Sequence, residues 1–272
     1  MLDDFHRHRK ATIASKVRAL LESQFFAHHP LFRKKMSVFI SGSVANDRYD
    51  ALSDVDVEIV AHEERDLSKL TEYIKTWKRE RGHPRMQIYA PVTLAEIRSR
   101  LEGWEHDAAL RDVGNALIVH DPHDFFAKLQ REFAWYPHDV LQEKLHWLYA
   151  EAFFALTERL PVALKRKDPF FPRVLTLHVV RLLLNALLMA NKQFPAFDKH
   201  VFAEVRDLPG TPSTIVRRVK GILADPAPSL TEMWALTRLV EAYLLKRKAI
   251  PRLSDEAWLR LRPKYPVETS MK

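Results

Sequence analysis

The chain has no cysteine, which excludes disulfides and thiolate metal sites and removes any argument for export to an oxidising compartment. Glycine is scarce, at 6 of 272 residues. None of the six sits in a Walker-type loop, a dinucleotide-binding loop or a Gly-x-Ser-x-Gly elbow. No run of about 18 apolar residues occurs, so neither a membrane-spanning helix nor a membrane partner is expected. The first twenty residues, MLDDFHRHRKATIASKVRAL, mix acids with bases and lack the apolar centre of a signal peptide. The cytoplasm is therefore the default expectation. The 13 histidines are scattered; with no His-Glu-x-x-His and no cluster around His6, His8, His28 or His29, a zinc site is not expected.

What is present describes a globular protein. Hydrophobic residues make up 47% and charged residues 29%, and the length suits one large domain or two ordinary ones. The formal charge is +8, which favours anionic partners such as nucleotides, phosphates or nucleic acid.

Periodicity predicts a first helix over Phe5–Ala27, a buried strand at Met36–Ile40 and a second strand, DVDVEIV, over Asp54–Val60. A helix follows over Asp66–Glu80, with Asp66 as N-cap and Gly82 at its end. A third strand, RMQIYAPV, covers Arg85–Val92. Thr93 opens another helix as N-cap, with Glu96 completing a capping box. A last short strand covers Ala116–Pro122. Beyond it only helical patterns appear, over 139–159, 172–192, 199–206, 214–223 and 229–248, with a short docked helix in the tail. The expected fold class is α+β: a mixed sheet with helices, then an all-α bundle. The change of character falls within 123–138 and divides the chain into domains 1–125 and 126–272.

The stretch GSVANDRYDALSDVDVE, residues 42–58, carries the candidate chemistry. Two carboxylates two positions apart on a strand, Asp54 and Asp56, project from the same face about 6–7 Å apart. Both can reach one magnesium ion or bridge two. Upstream, Gly42 and Ser43 end a strand, where backbone N–H groups and a hydroxyl can meet a phosphate. Asp-x-Asp alone often marks solvated acids on an edge strand; paired with Gly-Ser at this spacing it is far more specific. Arg48 lies between the two parts, where contact with phosphate and plain solvation are about equally expected. Glu58 shares the face of the two aspartates and reads slightly better as a surface carboxylate. The basic runs RLPVALKRKDP and LLKRKAI read as solvated helix ends that complement the helix dipole.

This stretch resembles the signature of the DNA-polymerase-beta-like nucleotidyltransferase superfamily, Gly-[Gly/Ser] followed by Asp-[hydrophobic]-Asp. The spacer and the helical second half are similar to the minimal enzymes that include aminoglycoside and lincosamide adenylyltransferases. LRDVGNALIVHDPHDFF, REFAWYPHDVLQEKL and LLNALLMANKQFPAFDKHV resemble consecutive blocks of bacterial nucleotidyltransferase-fold proteins with an uncharacterised extra domain. The resemblance implies magnesium on Asp54 and Asp56, and a triphosphate, ATP or another NTP, held by Gly42 and Ser43. It further implies transfer of a nucleoside monophosphate to a hydroxyl of a small-molecule acceptor. Lys199, in an Asn-x-x-aromatic-Pro-x-x-x-Lys segment, becomes a candidate phosphate ligand. The chain departs from the pattern on the third strand, where such enzymes often carry a third carboxylate and this sequence offers Gln87 or Ile88. A base would then come from elsewhere, with Glu58, Glu105 and Asp107 as candidates, or metal activation would suffice. A non-catalytic nucleotide-binding relative and a nucleic-acid-binding protein, the latter resting on charge alone, remain the alternatives.

Overall fold

Residues 36–41 and 55–61 form the two central strands of the first unit. β1 (Met36–Ser41) and β2 (Val55–Ala61) pair antiparallel, with Ser41 opposite Asp56 and Phe39 opposite Glu58. The computed structural model describes residues 10–81, 85–166, 169–196, 199–225 and 229–260. These divide into two compact units, Met1–Trp135 and Tyr136–Lys272.

In the first unit, α1 (Lys10–Leu20) continues without a break into a π-helical stretch, Leu21–Phe26. Residues 5–9 of the expected first helix lie outside the described residues. The strand β1 runs one residue past its expected end and leads into a four-residue helical turn, α2 (Gly42–Ala45). The strand β2 begins at Val55, so Asp54 precedes the strand instead of opening it. The helix α3 (Glu64–Arg81) starts two residues before Asp66. Asp66 is therefore not an N-cap; it lies buried in the first turn and binds Lys35 Nζ at 2.7 Å. Gly82 lies outside the described residues. The single third strand expected at 85–92 is two short ones, β3 (Met86–Ile88) and β4 (Val92–Thr93), each parallel to a different part of β2. The capping box of Thr93 and Glu96 forms at the start of α4 (Leu94–Glu102).

A helix that periodicity did not pick out, α5 (Asp107–Asn115), precedes β5 (Leu117–His120), and α6 (Phe125–Glu132) follows it. The sheet order among the described residues is β3-β2-β1-β5, with β4 also on β2. One face buries Val38, Ile40, Val55, Val57, Ile59, Met86 and Ile88 in a core with α1 and α3. The other face carries Phe39, stacked on Phe126 of α6 at 4.1 Å. That contact explains why the units divide about ten residues beyond 125. The helix α6 buries Phe126 and Leu129 and belongs with the sheet.

The second unit is helical throughout its described residues. It comprises α7 (His138–Phe154), α8 (Leu160–Lys165), α9 (Phe171–Ala190), α10 (Val201–Asp207), α11 (Ser213–Ala224), α12 (Leu230–Lys246) and α13 (Asp255–Arg260), with a π-helical link at Ala155–Arg159. The helix α9 is apolar and long enough to cross a membrane by composition alone, yet 72% of its apolar window is buried. It packs chiefly against α7 and forms the centre of this unit. The fold class is thus α+β, a mixed sheet with helices followed by helices alone.

Candidate functional site

Gly42 has φ +64°, a left-handed conformation that costs a residue with a Cβ substantially more than glycine. Glycine is required here for a second reason as well. A Cβ at this position would stand 2.1 Å from Asp56 Oδ2 and 3.1 Å from its Cγ, well inside van der Waals contact. The Gly-Ser turn and the Asp-x-Asp strand therefore touch through their backbone and carboxylate.

The turn after Gly42 is held by amides. Asn46 Nδ2 donates to Gly42 O at 2.6 Å, and Asn115 Nδ2, at the end of α5, donates to Asn46 Oδ1 at 2.7 Å. Arg48 N donates to Ser43 O at 2.8 Å; its side chain is half-buried. Ser43 itself is buried, with 8% exposure. Downstream, Asp50 forms an Asx-turn: its Oδ1 accepts from Leu52 N at 2.9 Å and Ser53 Oγ at 3.0 Å. This turn delivers Asp54, exposed, to the start of β2.

Around Asp56 lie three side chains that bear on its charge. Tyr89 Oη donates to Asp56 Oδ1 at 3.0 Å. Glu58, on the same face, accepts from Ser41 Oγ at 3.2 Å. Burial pushes the Glu58 carboxyl up to about 7, with Asp112 and Asp56 adding to the rise while Ser41 and Arg100 oppose it. Asp112, from α5, is pushed up to about 6 by burial and by Asp56, against the pull of Arg111 and a hydrogen bond from the Gly42 backbone. Its Oδ1 is buried without a hydrogen-bond partner. Such an acceptor is costly inside a protein and calls for an explanation. Burial and the Asp56 charge also push the Tyr89 hydroxyl up to about 12.

The structure thus brings Gly42, Asp56 and Glu58 together and adds two residues that the sequence reading passed over. Tyr89 had a usable signal, since it follows Gln87 by two on the same strand direction. Asp112 had a weaker one: apolar Leu110 and Val113 mark the buried face of α5. Gln87 is the residue in parallel register with Asp56, whereas Ile88 pairs with Val57 and is buried. Glu105 is exposed between α4 and α5, beside Gly103. Asp107 is buried in the first turn of α5. Lys199 is an exposed residue of the second unit, in the turn before α10. Its companion Asn191 exchanges hydrogen bonds with Tyr243 Oη at 3.0 and 3.1 Å, and Phe194 packs on Tyr136; both are core contacts.

The donor set suits a hard cation. Asp56 sets its carboxylate in the space that a Cβ on Gly42 would take, and Asp54, exposed, precedes it by two residues. Magnesium commonly takes only one or two carboxylates and completes its shell with phosphate and water. Among the described residues, no group of three or more His, Cys, Asp or Glu side chains is arranged to hold a metal unaided. A metal held by Asp54 and Asp56 would complete its shell with water or phosphate oxygens.

By sequence, a domain of unknown function, DUF4037, matches residues 105–201, just over a third of the chain. No curated protein matches. Among solved structures, a nucleotidyltransferase-like protein from Exiguobacterium sibiricum is 10% identical. The likeness covers 86% of this chain and 78% of that one, with a TM-score of 0.47. Similarity of that degree leaves the chemistry to be read from the site itself.

Proposed function

We propose that the first unit binds a nucleoside triphosphate together with magnesium. On this reading the chain transfers a nucleoside monophosphate, AMP from ATP, to a hydroxyl of a small molecule. The observation that carries this reading is the contact between Gly42 and Asp56, where the missing Cβ leaves room for the carboxylate against the phosphate-type turn. Asp54 and Asp56 would hold the ion. When bound, magnesium supplies charge neutralisation for the phosphates and for the departing pyrophosphate. Gly42 lets the main chain approach a phosphate closely, and Arg48 adds a cation on the same turn. Tyr89 orients Asp56 through its hydroxyl. Glu58 and Asp112 add acidic groups whose charge Asp56 feels, and either is a candidate base in place of the carboxylate missing from β3.

The test is calorimetric titration of the chain with ATP and the other NTPs, with and without magnesium, beside Asp54→Ala/Asp56→Ala. Magnesium-dependent binding that the double variant loses supports the reading, and its absence in the unaltered chain removes it. A non-catalytic nucleotide-binding role is the second reading, favoured by the lack, among the described residues, of a self-sufficient three-acid metal group. Pyrophosphate release across a broad panel of hydroxyl compounds separates the two.

A further inference from the structure

The second unit carries an open pocket of about 490 Å³ between α7, the end of α12 and the segment that follows it. That volume is within the range of small-molecule sites, roughly 300–1,000 Å³. The charged side chains lining it are Lys248 and Arg252, both cationic and both exposed. Gln142 and His146, one helical turn apart on α7, supply its uncharged polar groups, and Leu245, Ile250 and Pro251 its apolar wall.

Two features bear on what this pocket could hold. First, His146 Nε2 is buried without a hydrogen-bond partner, although buried ring nitrogens normally find one. Its ring packs edge-on against Trp258 at 6.3 Å. Burial also holds the imidazole below the usual histidine range, against the opposing charge of Glu143. Second, Lys248 has φ +55°. It closes α12 in the left-handed position, with Lys248 N donating to Leu245 O at 3.0 Å and Ala249 N to Leu244 O at 2.9 Å. Glycine is the residue that normally takes such a position. Lys192 closes α9 in the same way, at φ +58°, so this conformation fixes where Lys248 sits at the pocket rim and is not in itself a sign of a ligand.

We propose that this pocket binds a small organic anion. Lys248 and Arg252 hold its carboxylate or phosphate, Gln142 hydrogen-bonds to it, and His146 with the Leu245–Ile250–Pro251 wall covers its organic body. The proposal does not rest on the nucleotide reading of the first unit.

The experiment is calorimetric titration of the full chain with three probes: phenyl phosphate, benzoate and inorganic phosphate. The expected result is saturable binding of at least one aryl anion, with the stronger of the two identifying the preferred anionic group, and binding of inorganic phosphate at least fivefold weaker. Lys248→Ala/Arg252→Ala should weaken aryl-anion binding at least tenfold, and the charge-preserving Lys248→Arg/Arg252→Lys should retain most of it. Asp54→Ala/Asp56→Ala should leave it within twofold. The proposal is overturned by no saturable binding of either aryl anion, by inorganic phosphate binding equally well, by indifference to Lys248→Ala/Arg252→Ala, or by loss in Asp54→Ala/Asp56→Ala.

Discussion

The Asp56 carboxylate occupies the space that a side chain on residue 42 would take, with Oδ2 at 2.1 Å from the position of a Cβ there. Gly42→Ala is consequently expected to fail twice, through the left-handed backbone and through collision with Asp56. Conformational strain alone costs about 1–2 kcal/mol. Displacement of Asp56 should add a loss of magnesium-dependent nucleotide binding. Thermal unfolding and calorimetry of the same variant measure the two effects separately; unchanged nucleotide affinity would argue against a role for this contact in binding.

Glu58 gives a pH signature. Its folded pKa, about 7, lies above its ordinary value of 4.5, so the protonated form favours the native state. The stability it contributes is fully present below about pH 4.5 and is lost as pH rises through 7. Glu58→Gln keeps the neutral, hydrogen-bonding form at every pH. Without metal it should be more stable than the unaltered chain at pH 8, by roughly 1–3 kcal/mol. The gain should shrink toward zero near pH 4.5. Denaturant unfolding across that range checks the sign, and a gain that grows on acidification would contradict it.

Tyr89 is nearly half exposed (47%), and removing its hydroxyl should leave the fold intact. Tyr89→Phe frees Asp56 Oδ1 from its 3.0 Å hydrogen bond. Groups that orient a metal-binding carboxylate typically matter by roughly 10–100-fold in metal affinity. The magnesium concentration giving half-maximal nucleotide binding should therefore rise about tenfold. An unchanged magnesium dependence would leave the hydroxyl a purely local contact.

Phe126 tests where the first unit ends. It is fully buried and stacks on Phe39 of β1. Phe126→Ala should cost about 3–5 kcal/mol and lower the unfolding transition of the sheet-bearing unit. A near-neutral effect would mean that α6 is not part of that unit's core.

Residue pattern was enough to specify much of this protein. The alternation of Val55, Val57 and Ile59 with Asp56 and Glu58 specifies a strand with one apolar and one acidic face, because side chains alternate across any strand. The Thr93–Glu96 capping box follows equally from local chemistry. The sharp turn at Gly42 was legible because a glycine beside a buried strand in a glycine-poor chain points to backbone that must come close to something. What it comes close to was decided by pairing: the antiparallel register of β1 and β2 sets Ser41 against Asp56. The split of the third strand followed from two short stretches each finding a different part of β2. Leu110 and Val113 mark the buried face of α5, but nothing in the sequence places Asp112 beside Asp56. It is distant in sequence and sits on a short helix, and only the packing of α5 beside the Gly42 turn brings it to Asp56. Local pattern thus determines which residues share a face of their own element. Which faces meet, and which buried carboxylates feel one another's charge, depends on contacts between distant segments that only the tertiary structure supplies.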